Sequence, residues 1–399
     1  MEATEQATCP VRDYTTLRPP APAMTAFEEM DEHRAHARPA LHTEDAQGYR
    51  VFTDHDAVAD GLRQADLWSS SAVFPFEPEP DRVMVPIQLD GDRHTAWRRL
   101  LAAWFTPGRV RAMRDDQRRL AASTVDGVRP RGECDFLADV AKVFTSAAFL
   151  PIMGVAPEDV GRFLEWTDGL HFRGDDPEQA RKTQQTAAAE MTGYLGELLE
   201  RCRRHPDPAR TDIVAAAACW RIDGVPPSDE DLVNCLMTVL GAALETTASQ
   251  LTWTAFHLAT HPDDRLRLVR DPSLVPGMVE EGMRVYPIAT PTRKATRDAE
   301  FQGCPVRAGD VAVFSLAAAG RDERAYRHAT EVDLDRRGAR HLSFGAGRHT
   351  CLGAHLARQE MALLLQEWHR LIPDYELAKA PQERATMIWS LDELRLRWG

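Results

Sequence analysis

The clearest pattern of apolar and polar positions in this 399-residue chain lies near its C-terminus. From position 357 to position 372, apolar side chains recur three and four residues apart, and Pro373 ends the run (Ala357, Met361, Leu364, Leu365, Trp368, Leu371 and Ile372). This spacing puts them on one face and predicts an amphipathic helix. Cys351 comes just before that helix, where unpaired backbone N–H groups and the positive end of the helix dipole favour a thiolate over a thiol.

A second pattern predicts a long helix from about Glu230 past Leu251, opened by the capping sequence Ser228-Asp-Glu-Asp231. Further helical stretches and short strands are predicted from the same periodicities (helices over 94–107 and 134–204, the latter broken at 151–154 and 174–177; strands over 48–53, 299–306 and 310–316). The first forty residues, which contain Arg18-Pro-Pro-Ala-Pro-Ala23, are expected to be an extended lead-in with little regular structure.

Composition narrows the class of protein. Apolar residues make up 43% of the chain and charged residues 27%, as in soluble globular proteins. A formal net charge of −13 disfavours nucleic acid or an anionic membrane as a partner. No run approaches the ~20 apolar residues of a membrane span, so no anchor is expected and the protein should be cytoplasmic. Seven scattered cysteines without a Cys-x-x-Cys pair fit a reducing compartment better than a disulfide framework or a zinc site.

Cys351 stands in the segment Phe344-x-x-Gly347-x-x-x-Cys351-x-Gly353. A single cysteine in an intracellular protein is most often a small buried residue. This spacing, however, resembles the haem-binding loop of the cytochrome P-450 family, in which the cysteine thiolate is the proximal ligand of the haem iron. The resemblance implies that haem b, iron protoporphyrin IX, is the cofactor and that Cys351 binds the iron. Phe344, Gly345 and Gly353 would surround the ligand within the cofactor-binding loop.

Four basic side chains are candidates for binding the two haem propionates: His94, Arg98, Arg293 and His349. His94 and Arg98 lie one helical turn apart, a pair that is most often surface decoration. The sequence around them nevertheless resembles the family helix in which a His and an Arg bind a propionate. Arg293 likewise matches a propionate-binding arginine of the family, and His349 lies two residues before the thiolate. Together they could neutralise two carboxylates.

The long helix carries Gly241-Ala-Ala-Leu-Glu-Thr-Thr-Ala248 within an otherwise apolar run. One interpretation is that Glu245 and Thr246 mark a polar edge of the helix, with threonine hydroxyls bonded to carbonyls four residues earlier. They also resemble the family's oxygen-activating motif, Ala-Gly-x-Asp/Glu-Thr, which implies that the pair relays protons to bound dioxygen. Here Ala243 replaces the motif's glycine.

A second family feature is Glu281-Gly-Met-Arg284, which places a carboxylate and a guanidinium one turn apart. Arg336 matches the third member of the same network, and all three are expected to be structural. Gly320-Arg-Asp resembles the family's Asn-Arg-Asp, with glycine in place of asparagine. The resemblance covers residues 48–399, so one mostly helical domain of the cytochrome P-450 fold with a small β subdomain is expected after a lead-in over 1–47.

The family's activity implies the reaction class: insertion of one oxygen atom of O₂ into an apolar small molecule, by hydroxylation or epoxidation. The chain contains no flavin or iron–sulfur motif, so the electrons should come from a separate ferredoxin with its NAD(P)H-dependent reductase. An acidic ferredoxin could dock on the local excess of basic residues (Arg336, Arg337, Arg340, His341, Arg348, His349, His355 and Arg358). The substrate pocket is expected to draw on apolar side chains from several segments (Phe74, Phe76, Phe172, Leu240, Ala242, Ile288, Ala289, Met387 and Ile388).

Two other classes remain open. A peroxide-driven haem-thiolate enzyme would need no redox partner, but family members of that type lack the Glu-Thr pair that this chain has. A non-catalytic haem carrier or sensor would need only Cys351 and the propionate-binding residues.

Overall fold

A computed structural model describes residues 9–79, 82–170, 172, 176–338, 340–385 and 388–399. Helices dominate these residues. In chain order they are α1 Thr25–His36, α2 His55–Arg63, α3 Gly91–Ala102, α4 Pro107–Ala112, α5 Arg114–Val128, α6 Lys142–Met153, α7 Val160–Leu170, α8 Pro177–Arg204, α9 Ile213–Ala217, α10 Asp229–Thr260, α11 Pro262–Arg270, α12 Val275–Val285, α13 Leu316–Gly320 and α14 Ala354–Leu371.

The strands are short: β1 Ala21–Pro22, β2 Ala40–Thr43, β3 Tyr49–Phe52, β4 Trp68–Ser69, β5 Glu133–Asp135, β6 Thr292–Ala295, β7 Ala299–Phe301, β8 Cys304–Val306, β9 Val311–Phe314, β10 Glu376–Leu377, β11 Gln382–Ala385, β12 Trp389–Leu391 and β13 Arg395–Arg397. The largest sheet has the order β2-β3-β9-β6-β4. Within it β3 and β9 are parallel, while the other neighbouring pairs are antiparallel. Strands β7 and β8 form a separate hairpin.

The described residues divide into two compact units. Unit 1 comes from Met1–Asp81, Ser249–Cys351 and Tyr375–Arg397, and unit 2 from Arg82–Ala248, Leu352–Asp374 and Trp398–Gly399. Unit 1 contains the five-stranded sheet, whose aromatic core joins Phe52, Trp68, Phe301 and Phe314 with ring centroids 5.0 to 6.2 Å apart. Unit 2 is helical and has its own apolar core. The single domain expected over 48–399 stays a prediction.

Most of the elements expected from periodicity are present. The helix expected after residue 357 is α14, and Cys351 lies just ahead of its first residue, Ala354. The long helix is α10, and Ser228 caps its first turn by accepting a hydrogen bond from the backbone N–H of Asp231 at 3.1 Å. Both helices were recognisable because an apolar face recurs over several turns.

The expected lead-in is wrong from Thr25 onward, because α1 occupies Thr25–His36 and β2 follows it. Only Ala26, Phe27 and Met30 of the helix bury apolar side chains, together with Arg34. So few apolar positions among charged ones give no clear helical pattern, and tertiary contacts supply the missing stability.

Two helical segments are long and apolar enough to resemble membrane spans, Phe136–Met153 and Asp229–Thr260. About two thirds of each is buried inside the protein (67% in both cases). Core helices of this kind have the same composition as membrane spans.

Candidate active site

The loop that carries Cys351 is fixed by its own backbone. The Cys351 N–H donates to the Phe344 carbonyl at 2.8 Å, and the Gly345 N–H donates to Leu342 at 2.6 Å. A single 3-10 turn over Gly347–His349 brings the chain to Cys351, whose side chain is exposed. The loop thus presents a sulfur atom on a constrained backbone close to the start of a helix.

Two glycines give this loop its course. Gly345 and Gly347 both have φ of +72°, a left-handed conformation that costs other residues free energy. A Cβ atom at Gly347 would lie 2.7 Å from the Leu62 carbonyl oxygen and 3.0 Å from the Arg63 Cα. The loop backbone therefore packs directly against the end of α2, which only glycine at this position permits.

Behind the loop, unit 1 contains the network expected from Glu281 and Arg284. Arg284 is fully buried and donates two hydrogen bonds to the Glu281 carboxylate at 2.7 and 2.8 Å. Its remaining N–H groups donate to backbone carbonyls, among them those of Gly320 at 2.8 Å and Glu331 at 2.6 Å. Arg336 donates to the same carboxylate at 3.1 Å. The structure thus brings the three side chains together.

Burial opposes the charged form of Glu281, but the hydrogen bonds and charge of Arg284 prevail and lower the pKa of that carboxyl. Gly320 stands against the same arginine. A Cβ atom at Gly320 would lie 2.1 Å from the Arg284 carbonyl oxygen, so this close approach requires a glycine. The departure from the family's asparagine therefore has a steric reason here.

Each unit carries part of the expected propionate set. In unit 1, Arg293 lies on β6 and donates to the Thr292 carbonyl at 2.8 Å, while His349 is partly buried in the cysteine loop. In unit 2, His94 is only 3% exposed, and Arg98 follows one turn later on α3. All four remain candidates.

The expected acid–alcohol pair lies on α10 in unit 2. Glu245 is 8% exposed, and the Thr246 hydroxyl donates to the Ala242 carbonyl at 2.6 Å. That hydrogen bond to the carbonyl four residues earlier uses the hydroxyl proton and leaves the Thr246 oxygen able to accept a hydrogen bond. Helix α6 packs close to this point, because the Thr145 hydroxyl lies 3.3 Å from the Leu244 carbonyl oxygen.

Lys142 was not predicted from the sequence as part of the site. It is the first residue of α6 and lies one turn before Thr145. Its ammonium lies 2.6 Å from the Asp168 carboxylate near the end of α7. Burial acts to lower the pKa of Lys142, but the charge of Glu245 and the hydrogen bond that Lys142 donates to Asp168 outweigh it and raise that pKa. Lys142 is therefore within electrostatic reach of both carboxylates. A lone lysine in the apolar run 136–153 was the signal that could have identified it.

The candidate pocket residues fall in different surroundings. In unit 1, Ala289 and Ile388 form an isolated antiparallel bridge, and the Trp389 N–H donates to the Ile288 carbonyl at 2.8 Å. Phe74 and Phe76 lie with ring centroids 5.1 Å apart. Three candidates belong to unit 2: Leu240 is fully buried in the core, whereas Ala242 and Phe172 are exposed. Met387 lies outside the described residues.

The basic residues near Cys351 do not all contribute surface charge. Arg336 is bonded to Glu281 as above, and His341, with 2% of its side chain exposed, lies 3.2 Å from the Glu280 carboxylate. The prediction that these two add to a basic surface is wrong, because the carboxylates of Glu281 and Glu280 bind them. Arg337, Arg340 and Arg348 are exposed on unit 1, and His355 is exposed on unit 2.

The chain is similar to proteins of known family. Residues 171–389 match the family model described as Cytochrome P450. A steroid C26-monooxygenase of Mycobacterium tuberculosis (strain CDC 1551 / Oshkosh) is 31% identical over 84% of this chain and 89% of its own length. The mycinamicin IV hydroxylase/epoxidase of Micromonospora griseorubida is 30% identical over 78% of this chain and 75% of its own length.

Solved structures show the same fold. CYP101J2 superposes with a TM-score of 0.87 at 25% identity, covering 100% of both chains. The bottromycin biosynthetic protein SalCYP gives a TM-score of 0.86 at 29% identity, covering 99% of this chain and 96% of its own. With its mainly helical architecture, its small sheets and its Cys351 loop, this chain belongs to the cytochrome P450 family and is an oxidoreductase of the monooxygenase class.

Proposed function

We propose that this monooxygenase uses haem b and inserts one oxygen atom of O₂ into an apolar small molecule, with electrons from a ferredoxin-type donor. The observation that carries the proposal is the exposed Cys351 thiol on a loop fixed by the Phe344 carbonyl and by two left-handed glycines. When bound, the haem supplies the site at which O₂ is reduced and the oxygen atom is transferred.

The residues of the loop fit that cofactor. Cys351 is near the N-terminus of α14, where unpaired N–H groups stabilise a thiolate. Gly345 and Gly353 have no side chain and that of Phe344 is apolar, so none of the three would place a bulky polar group against the cofactor. His94, Arg98, Arg293 and His349 would neutralise the propionates, since buried carboxylates need charged hydrogen-bond donors. Glu281, Arg284 and Arg336 would keep the scaffold of the loop in place.

On α10, Thr246 Oγ1 would hold a proton-bearing group in place by accepting its hydrogen bond, and Glu245 would supply and take up protons. The Thr246 hydroxyl already donates to the Ala242 carbonyl, so its oxygen can accept a hydrogen bond while the back-bond keeps its orientation. The Lys142 ammonium is bonded to Asp168 and would supply a positive charge within electrostatic reach of Glu245. General acid assistance of this kind typically contributes about 10²–10⁴ in rate.

The substrate is proposed to be apolar because the candidate pocket residues are apolar (Phe74, Phe76, Phe172, Leu240, Ala242, Ile288, Ala289, Met387 and Ile388). Two relatives are named for a steroid and for mycinamicin IV, so steroids and mycinamicin IV are the first compounds to screen. Binding of a substrate to the haem-loaded protein would appear as a low-to-high-spin shift in the absorption spectrum.

The electron donor is proposed to be an acidic ferredoxin with its NAD(P)H-dependent reductase. Exposed Arg337, Arg340 and Arg348 give unit 1 a local positive charge on a protein of net charge −13. A positive surface on an otherwise negative protein orients an acidic partner during encounter and raises the association rate.

The test starts with the carbon monoxide difference spectrum of the reduced protein. The wild type and Cys219→Ser, which alters another exposed cysteine, should both show the thiolate–carbon monoxide band. Cys351→Ser should lose the band while haem remains bound, and a band retained in that variant would rule out Cys351 as ligand. Product formation with NADH, reductase and a surrogate ferredoxin, compared with hydrogen peroxide alone, separates the O₂-dependent enzyme from a peroxide-driven one. No product with either oxidant, despite bound haem and a spin shift, would favour a carrier or sensor.

A further inference from the structure

Two cysteines that the proposed oxygen chemistry does not use meet in unit 1. The sulfur atoms of Cys9 and Cys304 lie 2.7 Å apart although 295 positions separate them in the chain. Cys304 is 2% exposed, whereas Cys9 is partly exposed. Both are thiols in this structure, and their sulfur atoms already share a hydrogen bond.

Independent anchors place the two thiols. The segment after Cys9 pairs with β2, since the His42 N–H donates to the Pro10 carbonyl and the Arg12 N–H donates to the His42 carbonyl, both at 2.9 Å. Cys304 opens β8, directly after the tight turn of the β7–β8 hairpin. The same apolar cluster of unit 1 includes Cys304 and packs against Cys9. The pair is therefore fixed by ordered backbone on both sides.

Charged groups around the pair make the two sulfur atoms unequal. The hydrogen bond from the Cys304 thiol, helped by the charge of Arg50 and opposed by burial, lowers the pKa of Cys9. The same hydrogen bond, together with burial and the charge of Glu300, raises the pKa of Cys304, while Arg50 acts in the opposite direction. Arg50 itself is bonded to Asp310 at 2.6 Å. Cys9 is thus the better nucleophile, and Cys304 keeps its proton.

We propose that Cys9 and Cys304 are a peroxide-sensitive pair that closes reversibly into a disulfide and ties the N-terminal segment to the β7–β8 hairpin. The Cys9 thiolate attacks one oxygen of a hydroperoxide, breaks the O–O bond and becomes a sulfenic acid, while the other oxygen leaves as water or alcohol. The Cys304 sulfur then attacks the Cys9 sulfur, and the sulfenic oxygen leaves as water with the Cys304 proton. The two thiols lose two electrons, which reduce the peroxide.

The geometry favours this pair over the other thiols. A disulfide needs its sulfur atoms at ~2.05 Å, and these two already lie at 2.7 Å. Burial raises the pKa of Cys202 and Cys235, which keeps both in the less reactive protonated form. Cys219 is exposed and serves as a reference for unselective oxidation.

The experiment treats the full-length holoprotein with hydrogen peroxide, blocks remaining thiols with iodoacetamide and digests it with trypsin without reductant. The expected product is a disulfide-linked pair of peptides, residues 1–12 and 298–307. Its mass should fall below the sum of the two peptides by two hydrogen atoms, and dithiothreitol should restore both. The linked pair should form unchanged in Cys219→Ser. Oxidation of Cys219 before any linked pair forms would overturn the proposal.

Single substitutions test the order of steps without relying on the disulfide. In Cys304→Ser, dimedone should label Cys9 as a sulfenic acid after peroxide treatment, whereas in Cys9→Ser Cys304 should stay unlabelled. If Cys304→Ser does not fold, the pH dependence of Cys9 alkylation in the wild type tests the same point. Its midpoint should lie below the ~8.5 of an ordinary thiol. Labelling of Cys304 in Cys9→Ser, or an ordinary midpoint for Cys9, would show that Cys9 is not the peroxide-reactive thiol.

Discussion

Gly345 and Gly347 provide a matched test of how the cysteine loop is built. Both have φ of +72°, so alanine at either position meets the same backbone preference. Their surroundings differ. The new Cβ atom at 345 would meet nothing closer than the His349 carbonyl oxygen at 3.8 Å, while at 347 it would lie 2.7 Å from the Leu62 carbonyl oxygen. The Leu62 and Arg63 atoms involved belong to the backbone, so no side-chain rotation relieves the contact.

The expected magnitudes follow from these distances. The left-handed conformation costs an alanine about 1–2 kcal/mol, and the stiffer unfolded chain offsets about 0.4–1 kcal/mol of it. Gly345→Ala should therefore lower the free energy of unfolding by roughly 1 kcal/mol. Gly347→Ala adds an overpacking cost of about 1–3 kcal/mol and should lose roughly 2–4 kcal/mol in all.

The assay is urea unfolding of the holoprotein, read beside the carbon monoxide difference spectrum. Gly347→Ala should unfold at a clearly lower urea concentration than Gly345→Ala and should lose part of the thiolate–carbon monoxide band. Gly338→Ala is the control, since φ there is +71° and nothing lies within 4 Å of the added Cβ. Equal losses at 345 and 347 would refute the argument, because the backbone contact with α2 would then carry no cost.

Three further outcomes are expected. Thr246→Ala should bind substrate and consume NADH but divert much of it to hydrogen peroxide, measured as product formed per NADH oxidised; wild-type coupling would mean that another group holds the proton. Lys142→Met should slow product formation, because Glu245 loses a neighbouring positive charge, whereas Lys182→Met on the exposed face of α8 should not. Equal rates in the two variants would remove Lys142 from the site. The rate of reduction by an acidic ferredoxin should be lower in Arg340→Glu than in the wild type. In the wild type it should also fall as added salt shortens the Debye length below ~10 Å. A rate unchanged by both the substitution and the salt would place docking on another surface.

The parts of the site that were predictable from sequence are those whose residues lie close together in the chain. The apolar face of α14 and the glycines around Cys351 lie within one short stretch, so their spacing already identifies a thiol ahead of a helix. The Glu281 and Arg284 pair was predictable for the same reason, since residues three apart on a helix share a face.

The parts that were not predictable depend on tertiary contacts. Lys142 becomes relevant only because α6 packs beside α10 and its ammonium reaches Asp168 on α7. Likewise, no sequence pattern pairs Cys9 with Cys304, because the two meet only through the packing of β2 and the β7–β8 hairpin. Periodicity describes one element at a time, whereas these contacts depend on how elements pack together.

The two departures from the family's motifs have different physical consequences. At Gly320 the backbone of Arg284 approaches so closely that a side chain would displace the arginine that holds Glu281, so glycine is required by the network. At Ala243 no such constraint applies to the pair itself, since Thr246 bonds to the carbonyl of Ala242, the residue before the substitution. The alanine therefore leaves the orientation of the hydroxyl unchanged and adds only a methyl group to α10. A substitution in a family motif at a packed backbone contact, as at Gly320, is required by the packing of the scaffold. A substitution on a helix surface beside a reactive group, as at Ala243, can change the space around that group.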